Sequence, residues 1–182
     1  MIMRTFVNKS QSILIPIYKS LIRPVLEYGN VVWHPYLRKN IDEVEKIQRQ
    51  FTKNIIGMRS LEYEDRLLKL KLPSLEYRRI RGDMIEVYKI LYKMYDPITT
   101  NTLLILDTND TRGHNKKLKK VSFNTNKFKH FFTNRVVNLW NSLPTDVVYA
   151  SSLNVFKNKL DNHLHNYKYK IKLDIWDISG GS

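Results

Sequence analysis

Apolar side chains recur at three- and four-residue spacing through most of this chain, and that spacing predicts helices. From Ile13 to Trp33 the pattern reads as one mostly apolar helix, with Leu14, Ile17, Tyr18, Leu21, Val25, Tyr28 and Val32 on its inward face. Pro24 sits inside it; lacking an N–H and clashing with the preceding turn, it is expected to kink or split the helix. Gly29 weakens it further. A Trp33-His34-Pro35-Tyr36 turn follows. Asn40 is then placed to cap a second helix, with Asp42 and Glu43 in its first turn, where the helix dipole favours acids. Ile41, Val44, Ile47, Phe51 and Ile55 form its expected buried stripe, and Gly57 its expected C-terminal stop.

A short third helix is expected from about Ser60 to Leu70. After the Lys71-Leu72-Pro73-Ser74 break, Ser74 can cap a long helix through about Met94 that buries Leu75, Ile80, Met84, Val87, Ile90 and Leu91. Tyr77, Tyr88, Tyr92 and Tyr95 read as the rim of a core, because aromatic side chains at i,i+4 pack along one helix face. The pattern then changes. Asp96 to Gly113 is rich in Thr and Asn and reads as a loop or joint. Leu103–Leu106 and Lys117–Phe123 are candidates for short strands. Phe131–Leu143 returns to helical spacing with Phe132, Val136, Leu139 and Trp140 inward. Ser152 is placed to cap a last helix carrying Leu153, Phe156, Leu160 and Leu164. The fold class expected is mainly α. Its parts are a helical segment over 1–58, a helical continuation over 59–96, a loop or extended basic segment over 97–130, a C-terminal helical pair over 131–166 and a flexible tail over 167–182.

Composition agrees with a folded chain. The hydrophobic share is 42% over 182 residues, enough for a core and against wholesale disorder. There is no cysteine, so disulfides and thiolate metal sites are excluded. The first residues lack the layout of a signal peptide, since Arg4, Asn8, Lys9 and Gln11 interrupt them, and no apolar run reaches the ~18–20 residues of a membrane span. No membrane partner is expected, and the location expected is intracellular, in the nucleus or the cytoplasm.

Charge adds a partner to this picture. The net charge is +14, divided as +6 over residues 1–60, −1 over 61–110 and +9 over 111–182. Such a field favours phosphate backbones. The strongest local signal is Arg112 to Arg135, which contains Arg112, Lys116, Lys117, Lys119, Lys120, Lys127, Lys129 and Arg135 and no acid. Phe123, Phe128, Phe131 and Phe132 are interleaved with them. Cations neutralise phosphates and aromatic rings can stack on unpaired bases, although Phe131 and Phe132 read better as core. A second basic group is Arg78, Arg79 and Arg81. These cannot all face one way on a helix, so at least one is expected to pair internally, with Glu76 or Asp83. A third is Arg49, Lys53 and Arg59, with Arg49 and Lys53 on one helix ridge.

Catalytic patterns are missing. His163 and His165 would point about 200° apart on a helix. His114-Asn115 lacks the accompanying metal-site pattern of a His/Asn nuclease. The acidic runs Asp42, Glu43, Glu45 and Glu62, Glu64, Asp65 lie near helix starts, where capping explains them. Serine-nucleophile, phosphate-loop and dinucleotide motifs are absent.

Four segments in order carry a resemblance: LIRPVLEYGNVVWHPYLRKNIDEVEKIQRQFTK from Leu21, SLEYEDRLLKLKLPSLEYRRIRGDMIEVYKIL from Ser60, TRGHNKKLKK from Thr111 and FTNRVVNLWNSLPTDVVYASSLNVFKNKLDNH from Phe132. Together they resemble the region just downstream of the polymerase core in reverse transcriptases of non-LTR retrotransposons, of the Jockey-like broad group. The resemblance implies a helical, thumb-like bundle around residues 13–58, followed by a small α-rich C-terminal domain with one or two short strands. It implies binding of RNA, an RNA–DNA hybrid or a primer–template duplex, with the polymerase core of a full-length element as a further partner. It implies no polymerase activity of this chain alone, because the Ala-Asp-Asp metal-binding motif of the palm does not occur in it. No cofactor is expected; magnesium would belong to the missing palm. On this reading the chain is a truncated element copy or a gene-model fragment; the tail from about Lys168 departs from the family pattern and is read-through sequence, or its Gly-Gly-Ser end is an appended linker. The alternative is a helical interaction module, or a decayed copy without activity of its own.

Overall fold

The computed structural model describes residues 8–96, 103–108, 113–121, 130–171 and 173. They are mainly helical. Helix α1 (Gln11–Ile17) passes through a π-helical turn (Tyr18–Ile22) into α2 (Arg23–Glu27). Then follow α3 (Arg38–Lys53), α4 (Tyr63–Leu70) and α5 (Leu75–Leu91). After the basic segment come α6 (Phe132–Arg135), α7 (Val137–Ser142), α8 (Thr145–Val148), α9 (Leu153–His163) and a 3-10 turn (His165–Tyr167). Two compact units emerge. The first gathers the described residues up to Asn30, then Pro35–Arg79, and the chain from Asn166 to Ile171; the second gathers Val31–His34, Leu173 and the described part of Ile80–His165.

The π turn explains where the expected apolar stripe fails. The Arg23 N–H reaches back five residues to the Tyr18 carbonyl, and the Ser20 hydroxyl donates to the Pro16 carbonyl at 2.9 Å. A π turn inserts one residue just before Pro24, which has no N–H to give. One extra residue rotates everything after it by about 100°. The inward face therefore passes from Leu14 and Tyr18 to Ile22 and Leu26. Leu21, Val25 and Tyr28, expected inward, are 59%, 74% and 86% exposed. The helix also ends at Glu27, not near Trp33, and Gly29 takes a φ of +65° in the turn beyond it.

In α3 the buried face is polar. Glu45, Gln48 and Thr52 are buried with Phe51, whereas Ile47 is 43% exposed. The helix begins at Arg38, two residues before the expected Asn40 cap, and Gly57 adopts its left-handed φ of +77° three residues past the Asn54 cap. The polar face is inward because polar partners meet it there. The Glu45 carboxylate accepts the Tyr63 hydroxyl proton at 2.5 Å and the Leu75 N–H at 3.0 Å. Gln48 accepts from the Tyr18 hydroxyl and donates to the Pro73 carbonyl at 3.0 Å. Leu14, Tyr18, Phe51, Ile55, Met58, Tyr63, Leu67, Leu70 and Leu72 pack around this set as the core of the first unit. Residues 168–171, expected within a flexible tail over 167–182, are part of it: the Ser74 N–H bonds the Lys168 carbonyl at 3.1 Å, the Ile171 N–H bonds Glu64 at 3.0 Å, and Tyr169 and Ile171 pack on the core.

The second unit follows its expected pattern closely. Ser152 caps α9 through the N–H of Val155, as Ser74, in the first unit, caps α5 through that of Tyr77. Met84, Val87, Tyr88, Val136, Leu139, Trp140, Phe156, Leu160 and Leu164 are buried. Tyr88 stacks on Phe156 at 4.3 Å and on Tyr92 at 4.2 Å, and both tyrosine hydroxyls donate to backbone carbonyls, of Ala150 and Val148, at 2.8 Å. The short strands reduce, among the described residues, to one antiparallel bridge between Leu106 and Leu118.

The Glu45 set yields a stability prediction. Replacing Glu45 with Ala strands the Tyr63 hydroxyl and the Leu75 N–H in the core and removes the carboxylate beside buried Arg79; a loss of about 3 kcal/mol in denaturant unfolding is expected. A loss below about 1 kcal/mol would show that the set is dispensable.

Candidate nucleic-acid interface

The candidate residues separate into cations spent inside the fold and cations facing solvent. Arg78 forms a two-point pair with Glu27, its Nη2 at 2.8 Å, and Arg81 a two-point pair with Asp161 at 2.5 and 2.8 Å. Arg135 holds both oxygens of buried Asp83 at 2.9 Å and donates to the Val31 carbonyl at 3.0 Å. Asp83 also lies 3.4 Å from His34 Nδ1. Arg79 is buried among the charges of Glu45, Glu76 and Glu27; its terminal nitrogens have no hydrogen-bond partner among the described residues, and burial holds its guanidinium pKa below the ordinary value. The Arg78, Arg79, Arg81 group therefore does not come together as one surface. Internal pairing was expected of at least one, with Glu76 or Asp83; it takes Arg78 and Arg81, whose partners Glu27 and Asp161 lie far away in sequence and could not be read from spacing, while Arg79 is buried without an ion pair among the described residues.

The solvent-facing cations form two sets, one in each unit. In the first, Arg49 and Lys53 share the expected ridge of α3 and Arg59 follows it; all three are exposed, and none is in an ion pair among the described residues. In the second, the basic arm is held extended along α7 by side-chain amides. Asn141 Oδ1 accepts the Leu118 N–H at 2.8 Å and its Nδ2 donates to the Leu118 carbonyl at 2.9 Å, as a strand neighbour would. Trp140 Nε1 donates to the Lys116 carbonyl at 2.8 Å, and Asn134 accepts the Val121 N–H at 3.2 Å. Leu118 is buried by this docking, which leaves Lys119 and Lys120 exposed and Lys117 half-buried. Lys116 Nζ sits 3.9 Å above the Tyr92 ring. Phe132 is core, as expected, and Phe131 is half exposed. Arg112, Lys127, Lys129, Phe123 and Phe128 lie outside the described residues.

Two residues of this surface had no signal in charge clustering. Arg66, on α4, is only 5% exposed. Its guanidinium and that of Arg49 lie over the same Tyr63 ring, at 5.4 and 5.0 Å from its centre. The i,i+3 spacing of Tyr63 and Arg66 was visible; the approach of Arg49 from another helix was not.

His114 does not have the setting of a nuclease base. It is 2% exposed, edge-on to Trp140, with Nε2 3.2 Å from the Trp140 carbonyl. Among the described residues no group of three or more His, Asp or Glu gathers that could hold a metal ion, and no helix is long and apolar enough to cross a membrane. Compared with protein-family models, with curated proteins and with solved structures, the chain matches none of them.

Burial depresses the His114 pKa below 6.5, and the Lys117 charge acts in the same direction. A depressed folded pKa contributes stability that is present above the unfolded value near 6.5 and is lost as pH falls through the folded value. The melting midpoint is thus expected to fall between pH 7 and pH 5, and to fall less in His114→Gln, whose amide can still donate to the Trp140 carbonyl but does not titrate. Equal falls in both proteins would refute the assignment.

Proposed function

We propose that this chain is the thumb and downstream region of a non-LTR retrotransposon reverse transcriptase, and that it binds the phosphate backbone of RNA, an RNA–DNA hybrid or a primer–template duplex without carrying out polymerisation. The observation that supports this best is the sorting of charge. Glu27, Asp161 and Asp83 form ion pairs with Arg78, Arg81 and Arg135, and the charges of Glu45 and Glu76 act on buried Arg79, so these five acids are engaged within the fold. The net +14 is then expressed by cations that face water, among them Arg49, Lys53, Arg59 and Lys119. Exposed cations on a rigid helical frame suit backbone contact, which positions a strand without reading its sequence. The helical frame and the order of the four sequence segments agree with the same reading. Nucleotide transfer requires clustered carboxylates around metal ions, and on this reading they belong to the palm; a place inside the cell, in nucleus or cytoplasm, follows from it.

One observation favours the rival reading of a helical interaction module. Leu21, Val25 and Tyr28 lie exposed along one side of the π turn and α2, an apolar strip that nucleic acid would not need.

A salt series of binding to single-stranded RNA and to a hybrid duplex separates the two. Log affinity is expected to fall linearly with log salt, with a slope of roughly −0.7 per contacted phosphate on the single strand and −0.9 on a duplex. Neutralising Lys116, Lys117, Lys119 and Lys120 together is expected to weaken binding at least about tenfold and to flatten the slope. Primer extension with template, nucleotides and magnesium is expected to give no product. Robust extension, or no measurable binding at low salt, would reject the proposal, the latter in favour of the interaction module.

A further inference from the structure

Arg49, Arg66 and Tyr63 form an arrangement that the fold does not explain. Two guanidiniums share one aromatic ring, and neither has a carboxylate within ion-pair distance among the described residues. The ring is fixed, because the Tyr63 hydroxyl is committed to Glu45 and the side chain is 5% exposed. Arg66 is fixed as well: its Nε donates to Thr52 Oγ1 at 3.3 Å and its Nη1 to the Leu61 carbonyl at 2.6 Å, both uncharged acceptors. Burial, with the nearby Arg49 charge, makes its charged form harder to hold; only Tyr63 and Glu62 act the other way. Glu45, the nearest buried acid, is occupied by Tyr63 and the Leu75 N–H. The result is a held, largely buried cation and an exposed one, each in contact with the same aromatic ring.

Keeping two like charges together without a counterion is unfavourable, and an anion arriving there would relieve it. The planar, five-donor guanidinium matches the oxygens of a phosphate in two-point fashion, and a fork already immobilised loses little freedom on binding. Lys53 lies one turn along the same ridge as Arg49 and is exposed, so the positive path continues past the pair.

We infer that Arg49 and Arg66, stacked on Tyr63, form a phosphate-binding clamp that grips one backbone phosphodiester of the bound nucleic acid. The inference rests on the nucleic-acid reading above and names its anchoring contact. Arg66 is the preorganised half and Arg49 the half that closes from the surface.

The test follows the arginine Nε–H signals of the full chain by nuclear magnetic resonance during titration with inorganic phosphate and, separately, with a single-stranded RNA oligonucleotide. The variants are Arg49→Gln, at an exposed position, with its fold checked by circular dichroism, and Arg49→Lys, which keeps the charge but not the fork. Both Arg49 and Arg66 signals are expected to shift saturably with RNA. Affinity for RNA is expected to drop about tenfold in Arg49→Gln, to recover only in part in Arg49→Lys, and the salt slope to lose about one phosphate contact. RNA binding at wild-type affinity and slope in Arg49→Gln, with the Arg66 signal unmoved, would overturn the clamp while leaving the nucleic-acid reading intact. If RNA does not bind but phosphate moves both signals in the wild type and leaves the Arg66 signal unmoved in Arg49→Gln, the clamp stands as an anion site and the nucleic-acid reading falls. If neither ligand moves them, the clamp is rejected.

Discussion

The first unit depends on one buried carboxylate. Glu45 on α3 takes a hydroxyl proton bond from Tyr63 at the start of α4 and an N–H from Leu75 at the start of α5. Three helices therefore meet at a single side chain that is 2% exposed. A carboxylate in that position is costly to bury, and burial raises its pKa. The cost is offset by donors placed around it, by the positive end of the α5 dipole and by the charge of Arg79. Because hydrogen bonds are directional, such a centre also fixes the rotation of each helix. It is why α3 turns Gln48 and Thr52 inward and leaves Ile47 at the surface.

The same logic governs the arginines. A guanidinium near the interior is favoured beside an acid or an aromatic ring, and most of the buried or half-buried arginines have one or the other, Arg79 being held only by the more distant charges of Glu45, Glu76 and Glu27. Arg78 and Arg81 have acids, Arg135 has an acid and a backbone carbonyl, and Arg66 has Tyr63 with two neutral acceptors. The cations that remain exposed include Arg49 and Lys53 on α3 and Lys119 and Lys120 on the arm that Trp140 and Asn141 hold against α7. The WNSLP stretch thus acts as a clip: the indole and the amide bond the backbone of Lys116 and Leu118, and Lys119 and Lys120 beyond them are exposed.

Much of this was legible from periodicity. The long α5 helix, its Ser74 cap, the Ser152 cap of α9 and the inward set Phe132, Val136, Leu139, Trp140, Phe156 and Leu160 agree with the spacing of apolar residues. These are places where local preference and tertiary packing point the same way. The failures share one physical cause. A π turn adds a residue without leaving a mark in the apolar pattern, and a buried polar face reads as a solvated one. Both errors rotate a helix about its axis, so Val25 and Tyr28 were assigned inward, Ile47 was assigned to the buried stripe, and Glu45 was read as an acid of the helix start. The candidate binding residues divide in the same manner: exposure of Arg49 and Lys53 on one ridge was visible, whereas the consumption of Arg78, Arg79, Arg81 and Arg135 depended on acids as distant as Asp161.

By itself, the sequence determined the helical class, the Ser74 and Ser152 caps, the apolar core of the second unit and an excess of positive charge, since each follows from residue types and their local spacing. Only the tertiary structure decided which cations are free to meet a ligand. Ion pairs and ring contacts join side chains from separate helices, and their geometry exists only once those helices have packed. The pair of guanidiniums over Tyr63 is the clearest case: one comes from α3 and one from α4, and no local spacing could have brought them to the same ring.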